Sequence, residues 1–151
     1  MSDLDAPYAA LFALLETLKV PDGNVPDIGQ VVTVSRDVQL FEQVPADQLP
    51  ALFLAVDHQV YQYQMQGVPA TARPSAKIYL YAAADDTLSA GQRVNRLLGA
   101  VMDVLKPAGA YVDQTLGGLV QYARIEGTVE VYDGVLTRRA AAIVPVKMLV
   151  P

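Results

Sequence analysis

The chain has 151 residues, the usual length of one domain, and a domain of this size buries enough surface to fold without disulfides or bound metal. It contains no cysteine, which excludes thiol nucleophiles, disulfides and cysteine-ligated metal centres. The formal net charge of −5 argues against tight binding to nucleic acid, because that affinity depends on clustered Lys and Arg side chains.

The first residues, 1–5, are acidic and lack the basic residues and the apolar core of a signal peptide. The most apolar stretches, 51–56 and 140–146, are far shorter than the ~20 residues that a membrane-spanning helix needs. We therefore expect no export and no contact with a membrane.

A first helix is predicted from Asp5, which can cap it, to about Lys19. Its apolar residues recur at the i, i+3, i+4, i+7 spacing of one buried face. They are Tyr8, Leu11, Phe12, Leu15 and Leu18. The prolines and glycines that follow, over residues 21–29, are typical of a turn and an irregular segment.

Three strands are predicted next. The first alternates with a period of two over residues 30–40, and the second runs over residues 51–64. Pro74 is expected to lie in the break after the second strand, and residues 77–83 form the third, which pairs antiparallel with the second.

His58 is the only histidine, and it alternates with Leu54, Val56 and Val60 on the apolar side of the second strand. This position favours a packed, hydrogen-bonded histidine over a ligand. Asp57 is expected on the opposite face, so the two side chains do not combine in a metal site.

The second helix has the clearest pattern in the chain. Ser89 and Gln92 fit a capping box, and Pro107 and Gly109 end the helix. The buried stripe consists of Val94, Leu97, Leu98, Val101 and Leu105. The pair Gly117-Gly118 then predicts a turn or bulge before the next strand.

Asp133-Gly134 is the strongest short hairpin signal. A two-residue turn there pairs Tyr132 with Val135, Val129 with Arg138 and Ile125 with Ala142. Each arm then runs about eleven residues, or roughly 35 Å, which is longer than an ordinary strand. We expect the tip to project beyond the domain. The candidate contacts with a neighbouring subunit or tube are Tyr132, Asp133, Gly134, Val135 and Arg138. Arg138 at a strand end also fits a side chain that reaches solvent.

Acidic pairs in the sequence have structural interpretations. Asp85 and Asp86 lie where a strand passes into a helix, which favours turn and helix-dipole roles. In the predicted hairpin register Arg139 lies between Glu126 and Glu130, so all three form a cross-strand charge ladder that keeps both carboxylates ionised.

Standard catalytic motifs are absent, since the chain has no Gly-x-Ser-x-Gly elbow, no Walker loop and no His-Glu-x-x-His. We expect no catalytic residue, no cofactor-binding residue and no metal ligand, and therefore no enzyme. Alternating tyrosines on neighbouring strands fit a subunit interface better than base stacking, because few basic residues lie near them in sequence. They are Tyr61, Tyr63, Tyr79 and Tyr81.

The predicted elements form one α+β domain over residues 1–151, with an antiparallel β-sheet, two helices packed against it and a long C-terminal β-hairpin. Hydrophobic residues make up 52% of the chain and charged residues only 18%. Such an apolar excess needs either a large core or a subunit interface to cover it.

Several sequence blocks resemble the tail terminator, or tail completion, proteins of long-tailed phages and prophages, and they occur in the order that this family shows. The C-terminal blocks are Thr115-Leu116-Gly117-Gly118, Ala123-Arg124-Ile125-Glu126-Gly127 and residues 142–146. The upstream blocks are residues 32–36, 50–54, 78–81 and 95–104. The resemblance therefore covers nearly the whole chain.

This resemblance implies a virion structural protein that forms a six-membered ring at the head-proximal end of a tail tube and is assembled in the host cytoplasm. The ring stops tube growth and offers a surface for head–tail joining. The implied partners are further copies of the chain, the tail tube protein and the head–tail connector protein, with DNA passing through the lumen without tight binding. An acidic ring suits that passage, because carboxylates repel phosphates.

Two other functions stay open. One is another head–tail joining or tail structural subunit of the same assembly, which the sequence does not separate from a terminator. The other is a small ligand-binding or enzymatic domain, expected to be monomeric or dimeric and to contain a concave pocket with convergent polar groups.

Overall fold

The structure, a computed structural model, describes residues 5–19, 31–63, 65–67, 71–85, 87–107, 109, 112–133 and 138–150. Its helices are α1 (Asp5–Glu16), a short 3-10 helix (Ala46–Gln48) and α2 (Ala90–Val104). Its strands are β1 (Thr33–Ser35), β2 (Ala51–Gln62), β3 (Thr71–Ala83), β4 (Tyr122–Ile125), β5 (Glu130–Tyr132) and β6 (Arg139–Leu149). The predicted α+β class is confirmed.

The strands form a six-stranded sheet in the order β1-β2-β3-β6-β4, with β5 also pairing with β6. All neighbouring strands are antiparallel except β1, which runs parallel to β2. The prediction of a wholly antiparallel sheet is therefore wrong at this edge. A long connection between β1 and β2, residues 36–50, makes the parallel arrangement possible.

The first predicted strand is much shorter in the structure than its alternating pattern suggests. Only Thr33–Ser35 pair with β2, while Val38 is exposed and Leu40 is 67% exposed. The chain leaves the sheet after Ser35 and folds back over it, so Phe41 and Val44 pack on the sheet instead. Tertiary packing of these two side chains overrides the period-two pattern.

Both helices pack on one face of the sheet and build the main core there. The predicted capping box is confirmed, since the Ser89 hydroxyl accepts from the Gln92 amide at 3.2 Å and Gln92 Oε1 accepts from the Ser89 amide at 2.8 Å. The apolar residues along one side of each helix pack against alternate residues of the central strands. These include Leu52, Leu54, Ile78, Leu80, Val144 and Val146.

The loop of residues 36–50 covers one end of the opposite sheet face. Phe41 meets the ring of Tyr81 edge-on at a centroid distance of 5.4 Å, and Phe53 lies 5.5 Å from the same ring. The Tyr81 hydroxyl donates to the carbonyl of Gln39 at 3.0 Å. This smaller cluster, which also includes Val44, holds the loop against the sheet.

Pro74 lies inside β3, so the predicted break at this proline is wrong. The backbone pairing between β3 and β6 stops at Ser75 and resumes only as an isolated bridge between Ala72 and Val150. Pro74 sits in that interval because it has no amide hydrogen to contribute to the ladder. On the other side of β3 it stays in register with Gln59.

The C-terminal hairpin has a different register from the predicted one. Tyr132 lies opposite Ala141 instead of Val135, and Ile125 lies opposite Val146 instead of Ala142. The connection is thus longer than a two-residue turn at Asp133-Gly134. Pro145 lies opposite the gap between β4 and β5. Its carbonyl accepts from the backbone amide of Glu126, but it has no amide hydrogen to donate, so the pairing is interrupted there.

Candidate functional site

A cleft of about 280 Å³ opens where β2, β3, β4 and β6 lie side by side. Its lining includes His58 and Val60 from β2, Arg73 and Ser75 from β3, and Lys147 from β6. Backbone pairing sets Ser75 opposite Lys147, and Lys147 opposite Arg124 of β4, so these three side chains form a row across the sheet. We call this feature the cationic cleft.

A β-bulge places two polar side chains at the edge of the cationic cleft. The register between β2 and β3 shifts between Val56 and Gln59, so Asp57 and His58 both lie opposite Ser75. The predicted placement of Asp57 on the opposite face from His58 is wrong for this reason. The His58 side chain is 50% exposed, so the prediction of a packed histidine is also wrong, although it is hydrogen-bonded.

Asp57, His58 and Ser75 form a continuous polar chain. His58 Nδ1 lies 2.9 Å from Asp57 Oδ2, and His58 Nε2 lies 3.4 Å from the hydroxyl oxygen of Ser75. The carboxylate of Asp57 favours a hydrogen on Nδ1, which leaves Nε2 free to accept from the serine hydroxyl. Ser75 is only 3% exposed, and its hydroxyl faces the cleft.

Cations outnumber carboxylates around the cationic cleft. Lys77 lies 3.8 Å from Asp57, and Arg124 lies 3.0 Å from Glu126 while its guanidinium covers the ring of Tyr122 at 4.1 Å. Within the described part of the chain, neither Arg73 nor Lys147 has a carboxylate at ion-pair distance. Two uncompensated cations beside a serine hydroxyl and an imidazole favour binding of an anionic group.

The sequence did not predict this cluster. Its basic residues come from three separate strands, and each one alone looks like an ordinary solvated position. The only signal available was the spacing Arg73, Ser75, Lys77, which places three polar side chains on one face of a strand. Pairing of β3 with β6, and of β6 with β4, then brings Lys147 and Arg124 to the same face. The expectation of few basic residues near the tyrosines is therefore wrong for the folded chain.

The tyrosines do not form one stripe. Tyr81 is buried and Tyr79 is half-buried under the loop of residues 36–50, whereas Tyr61 and Tyr63 are exposed at the far end of β2. Burial raises the pKa of the Tyr81 phenol. Of these four tyrosines, Tyr61 and Tyr63 are the two exposed enough to contact a partner.

The predicted turn role of Asp85 is confirmed. Its Oδ1 accepts from the amides of Thr87 and Leu88 at 2.8 and 2.6 Å, which holds the pKa of the carboxyl below its usual range. Asp86 lies outside the described residues.

The predicted Gly117-Gly118 turn is confirmed, and both glycines adopt a positive φ, of 75° and 92°.

The predicted charge ladder is wrong, because the hairpin register on which it depended is wrong. Glu130 lies opposite Ile143, far along β6 from Arg139, and accepts from the hydroxyl of Tyr132 at 3.1 Å. That bond raises the pKa of the Tyr132 phenol. Glu126 pairs with Arg124 of its own segment.

The described ends of the hairpin loop both contact their own domain. The carboxylate of Asp133 lies against Gly91 in the first turn of α2, and the carbonyl of Arg138 accepts from the amide of Ala84 at 2.7 Å. Tyr132 and Arg138 are exposed, while Gly134 and Val135 lie outside the described residues. The role of these residues at a subunit interface stays a prediction.

Among the described residues, no group of three or more His, Asp or Glu side chains has the arrangement of a metal site. In the same part of the chain, none of the helices combines the length and the apolar character required to cross a membrane.

Comparison with known proteins gives structural likenesses but no match by sequence. The sequence matches no family model, and no curated protein matches it. Among solved structures, a chain from the virion of a native gene transfer agent particle is similar, with a TM-score of 0.43 and 14% sequence identity. The likeness covers 94% of this chain and 84% of that one. A TM-score this low does not establish a common fold, so no argument about function rests on it.

Proposed function

We propose that this chain is a structural virion subunit that self-associates into a six-membered ring at the head-proximal end of a phage tail tube. The ring stops tube growth and provides the surface for head–tail joining. Sequence blocks that resemble tail terminator proteins support this function, since they span nearly the whole chain in the family's order. Another tail structural subunit with the same self-association is the closest alternative.

The open edge of β2 carries the proposal. β1 pairs only with Ala51, Leu52 and Phe53, so no described residue pairs with the outer edge of β2 beyond that point. Large apolar side chains there are half to three-quarters exposed, namely Val56, Val60, Tyr61, Tyr63 and Met65. An open strand edge with exposed apolar side chains is a site for pairing with another chain.

The two edges of the sheet differ, which favours a ring over a symmetric dimer. β4 and β5 lie at the opposite side of the sheet from the open part of β2. A contact between two different surfaces of identical subunits repeats around an axis and closes a ring when the rotation closes. The net charge of −5 suits a lumen through which DNA passes.

Sedimentation velocity and negative-stain electron microscopy test the proposed ring on the purified chain, alone and mixed with the tail tube protein from the same genome. We expect rings of six copies, free or at the tube end, and tubes that stop growing where a ring is bound. A monomer at every concentration, together with tubes whose growth the chain does not stop, contradicts the proposal.

The hairpin loop is the second surface to test in the same assay. Arg138→Glu is expected to leave the circular dichroism spectrum unchanged and to weaken the ring, because like charges across an interface are costly. An unchanged yield of rings would mean that the loop from Tyr132 to Arg138 is only a solvated turn.

A serine hydrolase is a second candidate function, and one observation favours it. Asp57, His58 and Ser75 have the order of hydrogen bonds that activates a serine hydroxyl for attack on an acyl group. A fluorophosphonate probe tests this directly, since it labels only an activated serine. Labelling that disappears in both Ser75→Ala and His58→Ala would support a hydrolase, and no labelling of the native chain would exclude this serine as a nucleophile.

A further inference from the structure

An acidic surface lies on the loop that covers one end of the sheet. We call residues 36–50 the acidic loop. Its three carboxylates, Asp37, Glu42 and Asp47, are exposed, and none is at ion-pair distance from a basic side chain in the described residues. Val38 and Leu40 are exposed beside them. The loop therefore offers uncompensated negative charge together with apolar side chains.

The cationic cleft offers the complementary combination at the other end of the sheet. Arg73 and Lys147 lack carboxylate partners within the described residues, and Lys147 is only partly exposed. A partly buried cation without a partner is costly, so an incoming carboxylate gains more there than on an open surface. Val60, which pairs with Arg73 and is 49% exposed, supplies apolar surface beside the cations.

The middle of the acidic loop, with Glu42 and Asp47, cannot reach the cationic cleft of its own chain. It is tied to the sheet at Tyr81, whose hydroxyl donates to Gln39, and at Arg139, which donates to Phe41 and Val44. Arg73 lies eight positions before Tyr81 on the same strand, a separation of about 26 Å at ~3.3 Å per residue. Any contact of Glu42 or Asp47 with the cationic cleft must therefore join different copies.

We propose that the cationic cleft of one subunit receives the acidic loop of a second copy of this chain. The inference rests on the proposed function, because it names the surfaces that join neighbouring subunits of the ring. The two surfaces are different and lie at opposite ends of the sheet, so the contact is head-to-tail. Each subunit then uses both surfaces, as closure of a ring requires.

A nucleic acid phosphate is the other anion that fits two cations and a hydroxyl. A carboxylate is the better candidate, because a phosphate backbone binds through many unpaired Lys and Arg side chains distributed along a surface. Here two of the four cations already pair with Asp57 and Glu126. The net charge of −5 further opposes a polyanion. DNA binding by the cleft is therefore an outcome that the experiment must detect.

Two charge-reversed proteins test the contact. The first reverses the cleft with Arg73→Glu and Lys147→Glu, and the second reverses the loop with Asp37→Lys, Glu42→Lys and Asp47→Lys. Within each protein the loop and the cleft now carry the same sign, so each alone should assemble about a hundredfold more weakly than the native chain or not at all.

An equimolar mixture of the two proteins should assemble again. The reversed cleft of the first is complementary to the reversed loop of the second, and the native cleft of the second is complementary to the native loop of the first. Every contact in an alternating ring is then attractive. Native mass spectrometry should find equal numbers of both proteins in each ring, and sedimentation velocity should find an affinity close to that of the native chain.

A matched control reverses charges elsewhere. Asp103→Lys with Lys106→Glu changes two exposed residues at the end of α2, on the helix side of the sheet, and should leave assembly unchanged. Circular dichroism checks folding of every variant. Where the cleft variant fails to fold because Lys147 is partly buried, Arg73→Glu alone takes its place, with the loop variant as its partner.

The results separate this inference from the proposed function. A native ring together with unimpaired assembly of either reversed protein overturns the contact but leaves the ring. A native chain that assembles neither alone nor on tubes overturns both. Native binding to a double-stranded DNA oligonucleotide that the cleft variant loses, while still assembling, assigns the cleft to a nucleic acid and also overturns the contact.

Discussion

Nη1 of Arg139 donates a 2.7 Å hydrogen bond to the carbonyl oxygen of Val44, a residue 95 positions earlier in the chain. The same nitrogen lies 3.3 Å from the carbonyl of Phe41. The first residue of β6 thereby holds the middle of the acidic loop on the sheet. The acidic loop leaves the sheet at Ser35, so its partly buried carbonyls have no neighbouring strand to donate to them. The Arg139 guanidinium supplies the missing hydrogen-bond donors.

Arg139→Ala should lower the free energy of unfolding by about 2–4 kcal/mol, since two partly buried carbonyls lose a charged donor. Urea denaturation followed by circular dichroism measures the change. Arg138→Ala is the matched control, because the neighbouring arginine is exposed and should change stability by less than about 0.5 kcal/mol. Equal effects of the two substitutions would mean that the Arg139 contacts do not stabilise the loop.

Gly91→Ala and Gly99→Ala should differ in their effect on stability, although both lie in α2. A Cβ on Gly91 would overlap the carboxylate of Asp133, whereas a Cβ on Gly99 meets nothing within 4 Å. We expect Gly99→Ala to stabilise the protein by about 0.5–1 kcal/mol through helix propensity. Gly91→Ala should stabilise it less or not at all, because the exposed Asp133 side chain must turn away from the new methyl group.

The double variant Gly91→Ala/Asp133→Ala identifies the cause of the Gly91 effect. With Asp133→Ala present, Gly91→Ala should stabilise the protein as Gly99→Ala does, because the overlap is with that carboxylate alone. Thermal unfolding of the four proteins gives the coupling between the two positions. Simple additivity of the two substitutions would show that Asp133 does not lie over α2 in solution.

Ser89→Ala should lower the free energy of unfolding by about 1 kcal/mol, because it removes the acceptor for the Gln92 amide at the start of α2. Ser89→Asp keeps an oxygen acceptor at that position and should stay close to the native value. Chemical denaturation of both variants gives the comparison. A loss of the same size in Ser89→Asp would argue against the cap as the source.

The carboxyl of Asp85 should titrate below the ordinary aspartate value of 3.8 in the folded chain, because the amides of Leu88 and Thr87 and the charge of Arg93 favour the ionised form. Because the pKa is lower in the folded chain than in the unfolded chain, ionisation of Asp85 stabilises the fold at every pH above the unfolded-state pKa. This contribution is lost as the pH falls through the folded-state pKa. NMR titration measures the midpoint. Asp85→Asn should remove this part of the acid dependence of unfolding.

Local signals were sufficient where an element is stabilised by its own residues. The capping box and apolar stripe of α2 specify its start and its buried face, and the structure has both. The turn at Gly117-Gly118 was predictable for the same reason, because a positive φ favours glycine irrespective of what packs around it. The sequence also predicted the α+β class, since the alternating and helical periods separate clearly along the chain.

Pairing partners were not predictable from local signals. Asp133-Gly134 suits a tight turn, yet the register of the C-terminal strands depends on Pro145, on the contact between Asp133 and Gly91, and on pairing with β3. The alternation of Val38 and Leu40 likewise predicted a strand that packing of the acidic loop prevents.

The sequence by itself determined the helices, the class of the fold and the absence of the standard catalytic motifs. The tertiary structure decided which residues share a surface. The β-bulge at Asp57 and His58 places both side chains opposite Ser75. The pairing of β3 with β6 places Lys147 next to Ser75. These outcomes depend on contacts between segments far apart in the chain, whereas periodicity and capping report only on neighbours along it.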